Sequence, residues 1–166
     1  MEIEPHRRKN SLRLRGWDYS RQGAYFVTIC TWQRREILST ISNGESFDSE
    51  IGQSVRNAWN DLPAQFPHVE LDQFVLMPNH LHGILWIGTT PSTCSQPLGN
   101  CIAWLKYEAA KRCAKDIRQL GGQLWQRGYY DHIIRNDESL GRIRDYISAN
   151  PVNWQDDPEY RRRRGG

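Results

Sequence analysis

Two strand-length runs, 69–77 and 80–87, are joined by nothing more than Pro78-Asn79. A link that short connects antiparallel neighbours, because a parallel pair needs a crossover of a dozen or more residues. The chain is therefore expected to build a sheet containing an antiparallel pair. In the second run the side chains alternate, so His80, His82, Ile84 and Trp86 share one face while Leu81, Gly83, Leu85 and Ile87 share the other.

The remaining periodicities extend this pair. Residues 24–32 are dense in β-branched and aromatic side chains and read as a strand. A loop containing Asn43-Gly44 follows. Over 48–66, Ile51, Val55, Ala58, Trp59 and Leu62 recur at three- and four-residue spacing, which predicts an amphipathic helix kinked or ended by Pro63. Residues 88–100 read as a surface loop and 102–115 as a second helix, with Glu108 and Arg112 paired across one turn and Gly121-Gly122 as the break. A fourth strand is expected over 124–135. A last helix, capped by Asp137 or Ser139, runs to residue 149 and is stopped by Asn150-Pro151. The order β-α-β-β-α-β-α predicts an α+β fold, a ferredoxin-like antiparallel sheet with helices packed on one face.

At 166 residues the chain suits one core. It divides into a basic N-terminal arm at 1–22, a folded domain at 23–155 and a basic C-terminal tail at 156–166. Mean hydropathy is −0.75, and no apolar run approaches the roughly 18 residues of a membrane span. No apolar stretch follows the first basic residues, so the expected compartment is the cytoplasm, with no membrane partner. Lys and Arg number 22 against 19 Asp and Glu, a net charge of +3. That excess is concentrated in Arg7, Arg8, Lys9, Arg13, Arg15 and Arg21 and in Arg161 to Arg164, which fits a polyanionic partner. Cys30, Cys94, Cys101 and Cys113 form no CxxC pair, which argues against structural zinc, and a cytosolic setting argues against disulfides.

His80 and His82 project to one side of a strand, close enough to share a metal ion, and such a pair needs at least one further oxygen or nitrogen ligand. On the last helix Leu140, Ile143 and Ile147 form the buried stripe. Tyr146 lies beside it and Asn150 one turn further on along nearly the same line. A tyrosine with a pKa near 10 needs a metal-polarised phosphate or a nearby base to act as a nucleophile. Trp104, Tyr107, Trp125, Tyr129 and Tyr130, near Lys106, Lys111, Arg112 and Arg127, offer stacking surfaces and phosphate contacts of the kind single-stranded DNA requires. About half of the aromatics are expected in the core instead.

Three stretches in order carry a resemblance: Phe74-Val75-Leu76-Met77-Pro78-Asn79-His80-Leu81-His82-Gly83, then Trp125-Gln126-Arg127-Gly128-Tyr129-Tyr130-Asp131-His132, then Ile143-Arg144-Asp145-Tyr146-Ile147-Ser148-Ala149-Asn150-Pro151. With the opening Leu12-Arg13-Leu14-Arg15-Gly16-Trp17-Asp18-Tyr19, they resemble the single-tyrosine HUH transposases and, within them, most closely the REP-associated tyrosine transposases. The resemblance implies that 23–155 is an HUH catalytic domain that nicks and rejoins single-stranded DNA at hairpin or palindromic repeats with Mg²⁺ or Mn²⁺. It makes His80 and His82 the metal pair, Asn150 a further ligand and Tyr146 the nucleophile that becomes linked to a 5′ phosphate. It also makes Arg13, Arg15 and Tyr19 the readers of a flanking or hairpin sequence. His132, near this site, is expected as a structural or DNA-contact residue, with a further ligand or a base as the alternative. Relatives include monomers and dimers, so both a monomer and a homodimer, with Tyr146 serving its own or a partner's histidines, stay open. Two other readings compete: a single-stranded or hairpin DNA-binding protein with little or no catalysis, and a metal phosphodiesterase using water as nucleophile.

Overall fold

The computed structural model describes residues 23–88 and 97–160. Along them run β1 (Gly23–Cys30), β2 (Ser39–Ser42), β3 (Glu45–Asp48), α1 (Glu50–Asn60), α2 (Leu62–Gln65), β4 (Val69–Met77), β5 (His80–Ile87), α3 (Leu98–Arg112), α4 (Ala114–Gln119), β6 (Tyr130–Ile134) and α5 (Asp137–Ala149). The main sheet has the order β4-β5-β1-β6 with every neighbouring pair antiparallel. This is the α+β arrangement expected from the sequence.

Strand β1 is buried from Ala24 to Cys30 because both of its faces are covered. Tyr25, Val27 and Ile29 join Leu81 and Leu85 in a core closed by Val55 and Trp59 of α1 and by Ile102 and Leu105 of α3. On the opposite face Ala24, Phe26 and Ile84 meet Leu140, Ile143 and Ile147 of α5. The expectation of helices on one face thus describes α1 and α3, while α5 lies on the other. The physical reason is that the face bearing the two histidines also carries enough apolar side chains to hold a helix of its own.

Local boundaries follow local chemistry. The loop expected around Asn43-Gly44 is a β2–β3 hairpin, its turn made by Asn43 at φ 51° and Gly44 at φ 74°, an Asn-Gly pair suited to two left-handed residues. The long first helix divides into α1 and α2, with Pro63 in the first turn of α2. Ser49 caps α1, its hydroxyl accepting from the Gly52 amide at 3.0 Å. At α5 the cap is Asn136, one residue before Asp137 and three before Ser139, the two positions expected; its side chain accepts from Ser139 N at 2.8 Å. The second helix breaks at Cys113 into α3 and α4. The fourth strand is shorter than 124–135, because Gly128 turns the chain with φ 76° and only Trp125 bridges to Thr31 before β6 begins. No helix among the described residues is long and apolar enough to cross a membrane.

Candidate metal centre and nucleophile

The tight turn between β4 and β5 sets His80 and His82 in register with β1. His82 lies opposite Thr28 and His80 opposite Cys30. Directly after His82, Gly83 keeps the other face open for Trp59; a Cβ at Gly83 would collide with the indole. Both imidazoles are buried, at 0% and 3% exposure, which leaves their polar atoms dependent on protein partners.

Those partners are specific. The two Nε2 atoms face each other at 3.0 Å. His82 Nδ1 lies 2.7 Å from the Thr28 hydroxyl, and His80 Nδ1 lies 2.8 Å from Asn79 Oδ1. Burial holds the His82 pKa down to about 3. Burial also holds His80 well below the ordinary histidine value, helped by His82 and by the Arg34 guanidinium. Both rings are therefore neutral at physiological pH, the form that offers a lone pair to a cation.

A third group arrives from beyond α5. After a single 3-10 turn at Trp154–Asp156, the chain brings the Asp157 carboxylate to 3.9 Å from His80 Nε2. Ligand atoms of His80, His82 and Asp157 all lie within 4.8 Å of one another, and all three residues are buried. The segment is fastened on both sides. Trp154 packs against the His80 ring with centroids 6.0 Å apart, and Glu159 pairs with Arg34 and accepts from Cys30 Sγ at 3.7 Å. The sequence reading gave Asp157 no role, since it fell in the span taken as a basic tail. The one signal for it was Trp154, a large apolar residue that needs a place to dock, followed by the turn-forming Asp156-Asp157-Pro158.

Helix α5 supplies the hydroxyl. Tyr146 Oη lies 3.4 Å from His82 Nε2, and its ring meets Phe26 edge-on at 6.1 Å between centroids. Burial, then the Asp157 charge, push the Tyr146 pKa up to about 12, while a hydrogen bond from the Asn150 side chain pulls the other way. Asn150 is 4% exposed, and its Oδ1 accepts no hydrogen bond from the described residues. A buried amide oxygen without a donor is costly unless something else approaches it. Two neutral imidazole nitrogens and a carboxylate make a mixed nitrogen and oxygen set that could hold a divalent cation.

The other residues singled out from sequence are dispersed. Lys106 donates to the carbonyls of Gln126, at 2.7 Å, and Gly128, at 3.1 Å. Trp125 is buried and donates from its indole N–H to the Lys106 carbonyl at 3.1 Å, so its ring serves the core. Lys111 pairs with Glu108, and Arg112 pairs with both Glu108 and Asp61. Arg127 is exposed and Tyr129 is half-buried against the core. His132 is exposed opposite Phe26, on the sheet face that carries the histidine pair. Arg13, Arg15 and Tyr19 lie outside the described residues.

Comparison with known proteins places this geometry. The family model for IS200-like transposases matches residues 21–150. An uncharacterised protein of Haemophilus influenzae is 34% identical, covering 93% of this chain and 93% of its own length. A candidate REP-associated tyrosine transposase from the same organism is 25% identical over 81% of this chain and 73% of its own. Among solved structures, a REP-associated tyrosine transposase bound to a REP hairpin superposes with a TM-score of 0.60 at 22% identity, covering 82% of this chain and 74% of that one. A candidate transposase from Deinococcus radiodurans gives 0.52 at 21% identity, covering 82% and 95%.

Proposed function

The chain belongs to the IS200-like transposase family, and from that premise we propose that it is a metal-dependent endonuclease and strand transferase that cuts single-stranded DNA beside hairpin repeats through a 5′-phosphotyrosine at Tyr146. The observation that carries the reading is the 3.4 Å contact between Tyr146 Oη and His82 Nε2, which joins a nucleophile and a histidine pair in one buried cluster of a single chain. Hairpin DNA as partner is supported by the REP hairpin bound to the structural neighbour.

His80 and His82 would hold the cation through Nε2, with Asp157 and the orphan oxygen of Asn150 as the further donors. A divalent cation held there would supply polarisation of a phosphate oxygen and stabilisation of a neighbouring phenolate. Tyr146 attacks the phosphorus. The Tyr–O–P bond forms as the bond from phosphorus to the 3′ oxygen breaks, the phenol proton passes to solvent, and the departing 3′ oxygen takes one up. One phosphodiester replaces another, so a 3′ hydroxyl can later reverse the step and join a new strand. The Asn150 amide steadies the phenolate by hydrogen bonding.

The test is incubation of labelled single-stranded DNA, bearing the hairpin repeats that flank the gene, with Mn²⁺ or with chelator, followed by a denaturing gel. A protein–DNA band that needs Mn²⁺ and disappears in Tyr146→Phe is expected. Tight binding with no such band would favour a hairpin-binding protein, and cleavage that survives Tyr146→Phe would favour water as nucleophile.

A further inference from the structure

The two histidines have different partners on their outer nitrogens, and the difference has a chemical consequence. Asn79 is fully buried and its side-chain amide is used at both ends. Its Nδ2 donates to the Glu159 carbonyl at 3.4 Å, which turns Oδ1 toward His80 Nδ1 at 2.8 Å. An amide oxygen only accepts, so His80 Nδ1 carries the hydrogen and His80 Nε2 presents a lone pair. Thr28 is different, because a hydroxyl both donates and accepts and can rotate to suit. It sits 2.7 Å from His82 Nδ1 and fits either tautomer of that ring.

The inner contact decides which tautomer is used. Two lone pairs 3.0 Å apart repel, so the Nε2···Nε2 contact requires either a proton or a cation between the rings. With a proton there, His82 donates from Nε2 to His80 Nε2, and the Thr28 hydroxyl donates to His82 Nδ1. With a cation there, both Nε2 atoms are lone pairs, and His82 Nδ1–H donates to Thr28 Oγ1. The exchange takes one proton off Nε2 and puts one on Nδ1, leaving the ring neutral.

We propose that Asn79 and Thr28 are positioning residues with unequal tasks: Asn79 locks His80 as the Nδ1–H tautomer, and Thr28 allows His82 to switch from Nε2–H to Nδ1–H when a cation binds. The inference rests on the proposed metal at the histidine pair and assigns a different mode of readiness to each ligand. His80 is preorganised by an acceptor tied to the turn that carries Asp157, whereas His82 is opened by the cation itself. At 7% exposure Thr28 leaves little room for water to take over its role. Partners of this kind set both tautomer and ligand basicity, and their loss typically costs 10–100-fold in metal affinity.

The experiment uses the full chain labelled with ¹⁵N-histidine and reads ring tautomers from long-range ¹H–¹⁵N spectra, without metal and with Zn²⁺ as a diamagnetic probe. His80 is expected as Nδ1–H throughout, and His82 as Nε2–H without metal and Nδ1–H with Zn²⁺. In parallel, electron paramagnetic resonance titration with Mn²⁺ is expected to show affinity about tenfold weaker for Thr28→Val and restored in Thr28→Ser. One His82 tautomer under both conditions, or wild-type Mn²⁺ affinity in Thr28→Val, overturns the inference. Should Thr28→Val fail to fold, the wild-type spectra decide alone. Binding of Zn²⁺ or Mn²⁺ with an unchanged tautomer removes this inference only, whereas a histidine pair that takes up neither ion removes the metal reading as well.

Discussion

Substituting Tyr146 by Phe deletes one oxygen from a side chain whose ring packs against Phe26 and His82. Tyr146→Phe is expected to keep its fold and to bind hairpin DNA nearly as wild type does, by direct titration, while forming no covalent adduct. Gly83 makes the complementary prediction about packing. A methyl group there meets the Trp59 indole, wedged between strand and helix, so Gly83→Ala is expected to lose about 1–3 kcal/mol in urea denaturation, the usual cost of overpacking a filled core. Of these residues, the histidine pair was legible in sequence because a period of two puts both rings on one face. Asp157 was not, because its place depends on where Trp154 and Glu159 dock, which is a tertiary fact with no spacing rule behind it.

At the scale of elements, the position of Tyr146 depends on how α5 is fixed to the sheet. Arg144 makes a bidentate pair with Asp72 of β4, at 2.9 and 2.5 Å, and Asp72 also accepts from the Trp86 indole at 2.8 Å. One turn further on, Ser148 and Gln73 hydrogen-bond at 3.1 Å. The β4 register shifts between Leu71 and Phe74, and this irregularity turns Asp72 and Gln73 toward the helix. The Arg144 hydrogen bond is the main reason the Asp72 pKa falls from 3.8 to about 2. A carboxylate whose pKa is lower in the folded chain stabilises the fold above its unfolded value and loses that contribution as pH falls through its folded value. Asp72→Asn should therefore melt below wild type at pH 7, by a modest and salt-sensitive margin because Arg144 is exposed. The gap should narrow as pH drops from about 4 toward 2, measured by circular dichroism. A gap independent of pH would mean that the pair does not anchor α5 through charge. Strand alternation and helix periodicity made this architecture readable from sequence. The side of the sheet taken by α5 was not, since its apolar stripe fits either face and only the partner residues Ala24, Phe26 and Ile84 choose. The β2–β3 hairpin was misread because its strands are four residues each and largely polar, so the Asn-Gly turn signal stood without an apolar alternation beside it.

For the whole molecule, a net charge of +3 is small, so on the proposed function affinity for DNA depends on where the cations sit rather than how many there are. Within the described residues Lys106 and Arg112 are engaged with protein groups, and the proposed function assigns phosphate contacts to the basic stretch at 1–22. Arg13→Ala and Arg15→Ala are each expected to weaken hairpin binding and to lower the slope of log affinity against log salt by at most about one unit, measured by fluorescence anisotropy over a salt series. Unchanged slopes in both variants would place the phosphate contacts elsewhere.

The proposed function stands on Tyr146 as the covalent attachment point. The most direct measurement is mass spectrometry of the Mn²⁺-dependent protein–DNA adduct after trypsin and nuclease digestion. A nucleotide remnant is expected on the tryptic peptide 145–161, fragmenting to a phosphodiester on Tyr146. A remnant on any other residue, or cleaved DNA with a free 5′ phosphate and no modified peptide, would contradict it.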